Sequence, residues 1–452
     1  MGNENIYYFE KAPIHKAVAH FSIPMMLGMS LTVVYSILNA YFIGMLNNSE
    51  MLAAITLTIP VFAILMAFGN LIGVGGATYI SRLLGEKDYK QIKHVSSFSF
   101  YGCLLLGIVV ISFCFPFVNT IITGLGASSL SFDYTKDYVT VMLIGSPFII
   151  MNFALEQLVR AEGAARVSMI GMLLSVVVNI ILDPIFIFLF DWGVTGVATA
   201  TLLGNIAAVL YYAYYIVEKS DFLTLSLKNF KASKLIISNV LKIGIPVFLL
   251  SVFMGTTALF FNNFVAIYGD ASVAAYGISS RILQLPEFVI MGLCEGVVPL
   301  IAYCFTADKD RMKAVIKFTG IVVATLALTF AVIVLLLSNH LIELFTIDEN
   351  IISIGSYVIK VTFLSLFVSG ITVLVTGIFQ ATGQGKPALI MSLVQGLILI
   401  PILFLANNYA EFHGVIWSLF IADFISCIVG ALMLFLLRNK LTVSLDEITS
   451  NP

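Results

Sequence analysis

Five carboxylates stand inside long apolar stretches of this chain: Glu156, Asp183, Glu287, Glu295 and Asp423. An ionised carboxylate at membrane depth is costly, so each must face a cavity, pair with a base or take up a proton. Asp183 has the most suggestive surroundings. Asn179 precedes it by one helical turn on the same face, and Pro184 follows it, which deprives the carbonyl of Ile180 of its usual N–H partner. A carboxylate, an amide oxygen and an unpaired carbonyl suit a hard cation or a proton relay; the plainer alternative is a carboxylate that only ties helices together. Glu287 and Glu295 share one stretch and point roughly 80° apart on a helix, so one wide cavity could see both. The chain has 36 Phe, 18 Tyr and 16 Met. Such residues could line a pocket for lipophilic cations, although most of them must pack helices or face lipid. Glu156 and Arg160 lie four apart, a spacing that fits a structural ion pair as well as a substrate-facing acid. Asp423 has no partner in its own stretch and reads as a hydrogen-bonding group. Arg281 lies six residues before Glu287, too far round a helix to pair with it directly, and could serve a carboxylate on another helix.

The elements that position these groups are set by composition. Sixty per cent of residues are hydrophobic and 11% are charged, whereas a soluble domain has about 25% charged residues. The chain is therefore expected to be an integral membrane protein. Twelve apolar stretches are long enough to cross a bilayer core of about 30 Å as helices: 16–44, 51–79, 95–118, 137–159, 165–189, 193–217, 238–268, 272–304, 314–338, 353–380, 386–406 and 413–437. Helices are favoured over a barrel because the runs are continuous and do not alternate in polarity.

The chain is also written twice. Phe21-Ser22-Ile23-Pro24, Ala53-Ala54 and Glu86-Lys87-Asp88 return as Ile243-Gly244-Ile245-Pro246, Ala274-Ala275 and Asp308-Lys309-Asp310. Arg160-Ala161-Glu162-Gly163 is echoed by Gln380-Ala381-Thr382-Gly383, and Gly196-Val197 by Gly414-Val415. Six spans per copy is an even number, so both copies enter the membrane from the same side and form parallel repeats. The expected fold is all-α and membrane-embedded: two pseudo-symmetric six-helix bundles, residues 1–217 and 237–452, joined by a linker at 218–236 and flanking a central cleft. Prolines fall at matched places, above all Pro24 and Pro246, where a kink would let one bundle rock against the other.

Loop charges set the orientation. Twenty of the 23 Lys and Arg fall on the side of the N-terminus, five of them between Lys219 and Lys242, and only Lys136 lies on the opposite side. The positive-inside bias then puts both termini in the cytoplasm. Met1–Lys16 has no basic start leading into a short apolar core, so no removable signal is expected.

The six-plus-six layout, Asn39-Ala40-Tyr41-Phe42-Ile43-Gly44, the Arg160–Gly163 and Gln380–Gly383 pair, and Asn179 to Asp183 followed by Gly196 to Thr201 together resemble the multidrug and toxic compound extrusion (MATE) family. The resemblance covers nearly the whole chain. Tyr7-Tyr8-Phe9-Glu10-Lys11, Met291 to Leu300 and Leu437 to Val443 look most like one bacterial drug-exporting branch. The resemblance implies multidrug efflux by ion-coupled antiport from a bacterial cell membrane, by alternating access, with a proton favoured over sodium and lipophilic, mostly cationic compounds as cargo. No cofactor beyond the ion gradient is implied, and the chain is expected to work as a monomer without nucleic acid. Carried over by position, the family's ion site would be Tyr35, Asn39, Asn179, Asp183 and Thr201, with sodium at Asp183 and Asn179 as the alternative occupant. Asn39 departs from the family's usual acid, which leaves Asp183 to carry the ion largely alone. Acids that some relatives have on the seventh and tenth helices are missing; Glu287 and Glu295 stand in for them or bind cationic drug, and Glu156 and Arg281 complete the candidate substrate set.

Other classes fit less well. A flippase for a lipid-linked or amphiphilic substrate shares the architecture but needs a basic cavity, and here only Arg281 and Lys360 are embedded against five acids. An enzyme is not expected: His15, His20, His94, His340 and His413 are scattered, and no Walker loop, Ser-Lys pair or metal-ligand spacing occurs. Gly73-Val74-Gly75-Gly76 lies inside an apolar run, so close helix packing is the better reading than phosphate binding. Cys103, Cys114, Cys294, Cys304 and Cys427 show no paired spacing and read as small packing residues.

Overall fold

The computed structural model of the chain describes residues 2–45 and 48–442. Val443, the last residue of the C-terminal motif, lies outside them, as does nothing of the candidate sites. Among the described residues the chain is helical throughout, in chain order α1 Gly2–Glu10, α2 Ile14–Gly44, α3 Ser49–Glu86, α4 Tyr89–Cys114, α5 Val118–Gly124, α6 Phe132–Ile144, α7 Ser146–Ala161, α8 Ala165–Pro184, α9 Gly193–Glu218, α10 Lys234–Ala266, α11 Asp270–Ala307, α12 Lys309–Glu343, α13 Glu349–Ala381, α14 Gly385–Leu397 and α15 Leu399–Thr442.

Ten of these helices or helix runs are long and apolar enough to cross a bilayer. An eleventh crossing is broken: α6 and α7 meet at a 56° bend, where Gly145 is followed by Ser146 and Pro147. The twelfth is hidden inside the run Gly385–Arg438, whose 54 residues would make a helix of about 80 Å, more than twice the bilayer core. Ala410 and Glu411 leave helical geometry there, Glu411 with φ 47°. That break separates two crossings, as the twelve apolar stretches require.

Local chemistry explains the ends. Asn48, Asp88, Asp308 and Asp348 each accept a backbone N–H of the first turn they precede. The repeated motifs at 160–163 and 380–383 are helix stops. Gly163 (φ 93°) and Gly383 (φ 68°) turn left-handed, and their N–H groups donate to the carbonyls of Arg160 at 3.0 Å and Gln380 at 3.1 Å. Only glycine takes that backbone without strain.

Contacts divide the chain into two compact units, residues 1–10 with 27–248, and residues 11–26 with 249–452. The first helix of each sequence repeat is shared: α2 changes unit after Met26 and α10 after Phe248, each two residues past its proline, Pro24 or Pro246. In the first unit the glycine-rich part of α3 lets backbones close in. A Cβ on Gly73 would lie 2.8 Å from Cα of Ala154, one on Gly75 2.1 Å from the Val240 carbonyl oxygen, and one on Gly76 2.5 Å from Oγ of Ser99. This is the helix packing expected of Gly73–Gly76. In the second unit α11 is enclosed; Ser22 Oγ donates to the Leu293 carbonyl at 3.1 Å. Its core groups Phe261, Val265, Val358, Leu403, Val415 and Ile416. Outward-facing leucines such as Leu189 and Leu336 are about three-quarters exposed, which suits surfaces solvated by lipid.

Candidate functional site

The first unit brings an acid, four amides and two phenols to one region. Asp183 ends α8 and is fully buried. Pro184 closes α8, and the next backbone, Ile185–Leu189, winds into a π turn, a local irregularity common at functional positions. Asn179 lies one turn earlier on α8, so both side chains leave the helix on one face. Its amide orientation follows from its neighbours. With the nitrogen toward the acid, it donates to Asp183 Oδ2 at 2.7 Å and to the Tyr35 hydroxyl at 3.1 Å. Its oxygen then accepts from Thr201 Oγ1 and from the Thr201 backbone N–H, both at 3.0 Å. Tyr35 comes from α2 and Thr201 from α9.

Four of the five residues expected at the ion site, Tyr35, Asn179, Asp183 and Thr201, are therefore in direct contact. The fifth, Asn39, lies one turn beyond Tyr35 on α2, and its Oδ1 is buried without a partner. Asp183 Oδ1 is buried without a partner as well. A buried acceptor left unmatched costs on the order of 1–3 kcal/mol, so both oxygens stand out against the satisfied groups around them.

Three further residues, not singled out from sequence, support this site. Asn205, one turn after Thr201 on α9, donates to the Thr201 carbonyl at 2.7 Å. Asn152 on α7 donates to Asn205 Oδ1 at 2.8 Å. Tyr138 on α6 sets its hydroxyl against Thr201 and Thr58. The only local signals were spacings: Asn205 follows Thr201 by four, and Asn152 precedes Glu156 by four.

The candidate substrate residues are placed differently. Glu156 is buried on α7 with Arg160, both within electrostatic range of Tyr212 of α9, and the Arg160 guanidinium donates to Gln157 Oε1. Glu287, Glu295 and Arg281 all lie on α11 in the second unit. Glu287 and Arg281 are exposed, and Glu295 is half-buried. Glu287 stands within electrostatic range of Tyr276 and of Asp423 on α15. Asp423 accepts a hydrogen bond from Ser365 Oγ of α13 at 2.5 Å. Among the described residues no group of three or more His, Cys, Asp or Glu is arranged to hold a metal ion.

Comparison with known proteins places these features. The MatE family description matches residues 24–185 and 246–405. The chain is 50% identical over 448 residues to the multidrug export protein MepA of Staphylococcus aureus strain MSSA476, covering 99% of both chains. It is 49% identical over 451 residues to the protein of the same name from Staphylococcus saprophyticus, again over 99% of each. Among solved structures, the outward-facing conformation of a multidrug resistance MATE family transporter superposes with a TM-score of 0.91 at 25% identity, covering 97% of this chain and 98% of the other. A transporter of the MOP superfamily from Pyrococcus furiosus gives the same score and identity over 98% and 99%.

Proposed function

This chain belongs to the MatE family, and from that premise we propose that it is a multidrug exporter of a bacterial cell membrane, with both termini cytoplasmic, which expels lipophilic cations in exchange for protons in preference to sodium. It works as a monomer, makes and breaks no covalent bonds, and needs no cofactor beyond the ion gradient. Its lobes, residues 1–217 and 237–452 about the linker 218–236, alternate the access of one substrate site to the two faces of the membrane.

The observation that carries this reading is the state of Asp183. One carboxylate oxygen is bound by Asn179 and the other has no partner, in a buried setting where Tyr35 and Thr201 complete the surroundings. Such a group changes its interactions with its neighbours when it gains a proton, and so can favour one conformation of the lobe. Cargo would meet Glu287 and Glu295 on α11, whose negative charge suits cations. If the proton and the cargo favour opposite conformations, each drives the other across, and the coupling is reciprocal.

The test is reconstitution in liposomes with a proton or a sodium gradient imposed separately, following uptake of a fluorescent lipophilic cation. Proton-driven uptake that is lost in Asp183→Asn and weakened for cationic but not neutral dyes in Glu287→Gln is expected. Uptake that persists unchanged in Asp183→Asn would remove Asp183 from the coupling, and uptake driven by sodium alone would replace the proton.

A further inference from the structure

The segment between α9 and α10 reads from sequence as a polar linker, yet from Thr224 to Phe230 it is held against α4. Ser96 Oγ of α4 donates to the Thr224 carbonyl at 3.0 Å and accepts from the Thr224 N–H at 3.1 Å. Ser97 Oγ donates to the Ser226 carbonyl at 2.9 Å and the Tyr101 hydroxyl to the Leu225 carbonyl at 2.9 Å. His94 Nδ1 meets the Asn229 carbonyl at 2.8 Å. The Phe230 ring sits 6.3 Å from that of Phe98 and 5.9 Å from that of Tyr101. The segment is therefore a strap fixed to α4.

What this strap turns outward is unusual for a fixed loop in water. Leu227 is 65% exposed, Phe230 41% and Leu235 60%. Between them stand Lys228, Lys231 and Lys234, all exposed, and no acid occurs from Phe222 to Lys242. Among the described residues these three lysines make no ion pair, whereas the basic stretch at the start of α12 in the second unit is engaged. There Lys313 pairs with Asp310 at 2.9 Å and Arg311 donates to the Ala12 carbonyl at 2.8 Å. The strap also lies directly between two membrane-crossing helices, α9 and α10. Apolar side chains beside unpaired lysines at the edge of a membrane span match a leaflet interface: hydrocarbon receives the first and anionic headgroups the second.

We propose that residues 224–235 form a binding surface for anionic phospholipid, with Lys228, Lys231 and Lys234 contacting the headgroup phosphate and Leu227, Phe230 and Leu235 anchoring the strap among the acyl chains. The surface depends on the chain being embedded in a membrane, and not on what the chain transports.

The test uses the full chain purified in neutral detergent, offered equal amounts of phosphatidylglycerol and phosphatidylcholine, with retained lipid counted by native mass spectrometry. Wild type is expected to retain phosphatidylglycerol several-fold over phosphatidylcholine, with the preference shrinking as salt is raised. The triple variant Lys228→Gln, Lys231→Gln, Lys234→Gln should lose at least two-thirds of that preference, and the same positions changed to Arg should keep it. Removing equal charge elsewhere, by Lys16→Gln, Lys317→Gln and Lys386→Gln, should leave it intact. The proposal is overturned if the Gln triple matches wild type, if the control triple loses as much, or if wild type shows no preference or none that responds to salt. Displacement of the lipid by millimolar inorganic phosphate would equally overturn it, in favour of a site for free phosphate. No transport is measured, so failure here leaves the exporter reading standing, and failure of that reading leaves this surface standing.

Discussion

Asn179 Nδ2 and Asp183 Oδ2 lie 2.7 Å apart, one helical turn from each other on α8, while the second oxygen of the same carboxylate is buried with no partner. The two oxygens of one acid are thus treated oppositely, one held and one unmatched, and the exchange proposed above would use the unmatched one. Replacing Asn179 by Leu removes the donor and leaves the carboxylate alone. A lost hydrogen bond to a charged group is worth roughly 1.5–3 kcal/mol, so gradient-driven uptake should fall about 10- to 100-fold, while Asp183→Asn should abolish it. Dye uptake in liposomes checks both, and near-wild-type uptake by Asn179→Leu would show that the hydrogen bond is incidental.

Asn205 and Asn152 hold the site from behind, through the Thr201 carbonyl and through each other. Removing either should strand the remaining amide in a buried place. We expect Asn205→Leu and Asn152→Leu each to reduce uptake several-fold, and the double variant to cost clearly less than the product of the two, because they break one shared connection. Multiplicative effects would mean that the pair does not act as a unit.

Close backbone approach in the first unit makes two glycines irreplaceable. A Cβ on Gly244 would stand 1.7 Å from the Leu71 carbonyl oxygen, and one on Gly75 2.1 Å from that of Val240. Neither neighbour is a flexible side chain, so helices must separate, at a cost of about 1–3 kcal/mol or more. Gly244→Ala and Gly75→Ala should lower the thermal midpoint in detergent by several degrees. Gly277→Ala, where nothing lies within 4 Å, should leave it unchanged or raise it, since alanine suits a helix better than glycine.

Glu162, in the turn after α7, is buried and accepts from Ser220 Oγ at 2.6 Å, with Tyr215 and Asp221 nearby and its Oε1 unpartnered. Burial pushes its carboxyl up to about 7 from an ordinary 4.5. A carboxyl with a raised folded pKa stabilises the fold fully below its unfolded value and loses that contribution as pH rises through about 7. The full effect is about 3 kcal/mol at most. Wild type should therefore lose thermal stability between pH 6 and pH 8 relative to Glu162→Gln, which carries no titrating group. Parallel pH profiles for the two proteins would refute this account.

Much of the architecture was legible in the chain because it depends on local quantities. Span length, loop charge and the internal repeat are properties of contiguous residues, and even the break that separates the last two crossings appeared as a gap between the apolar runs 386–406 and 413–437. Asp183 with Asn179 was legible for the same reason, being one turn apart on one helix. Tyr35 and Thr201 entered only through family resemblance, since no periodicity ties α2 to α8 or α9. Asn205 with Asn152, 53 residues apart, was out of reach, because a hydrogen bond between helices depends on how they pack and not on spacing along either. Proline at 24 and at 246 was visible as a matched pair, but only the contacts reveal that each first helix changes unit two residues later. The strap at 224–235 was polar by composition. Its attachment to α4 was decided by tertiary structure, where serine, tyrosine and histidine side chains from a distant helix satisfy backbone groups that an isolated loop would leave to water.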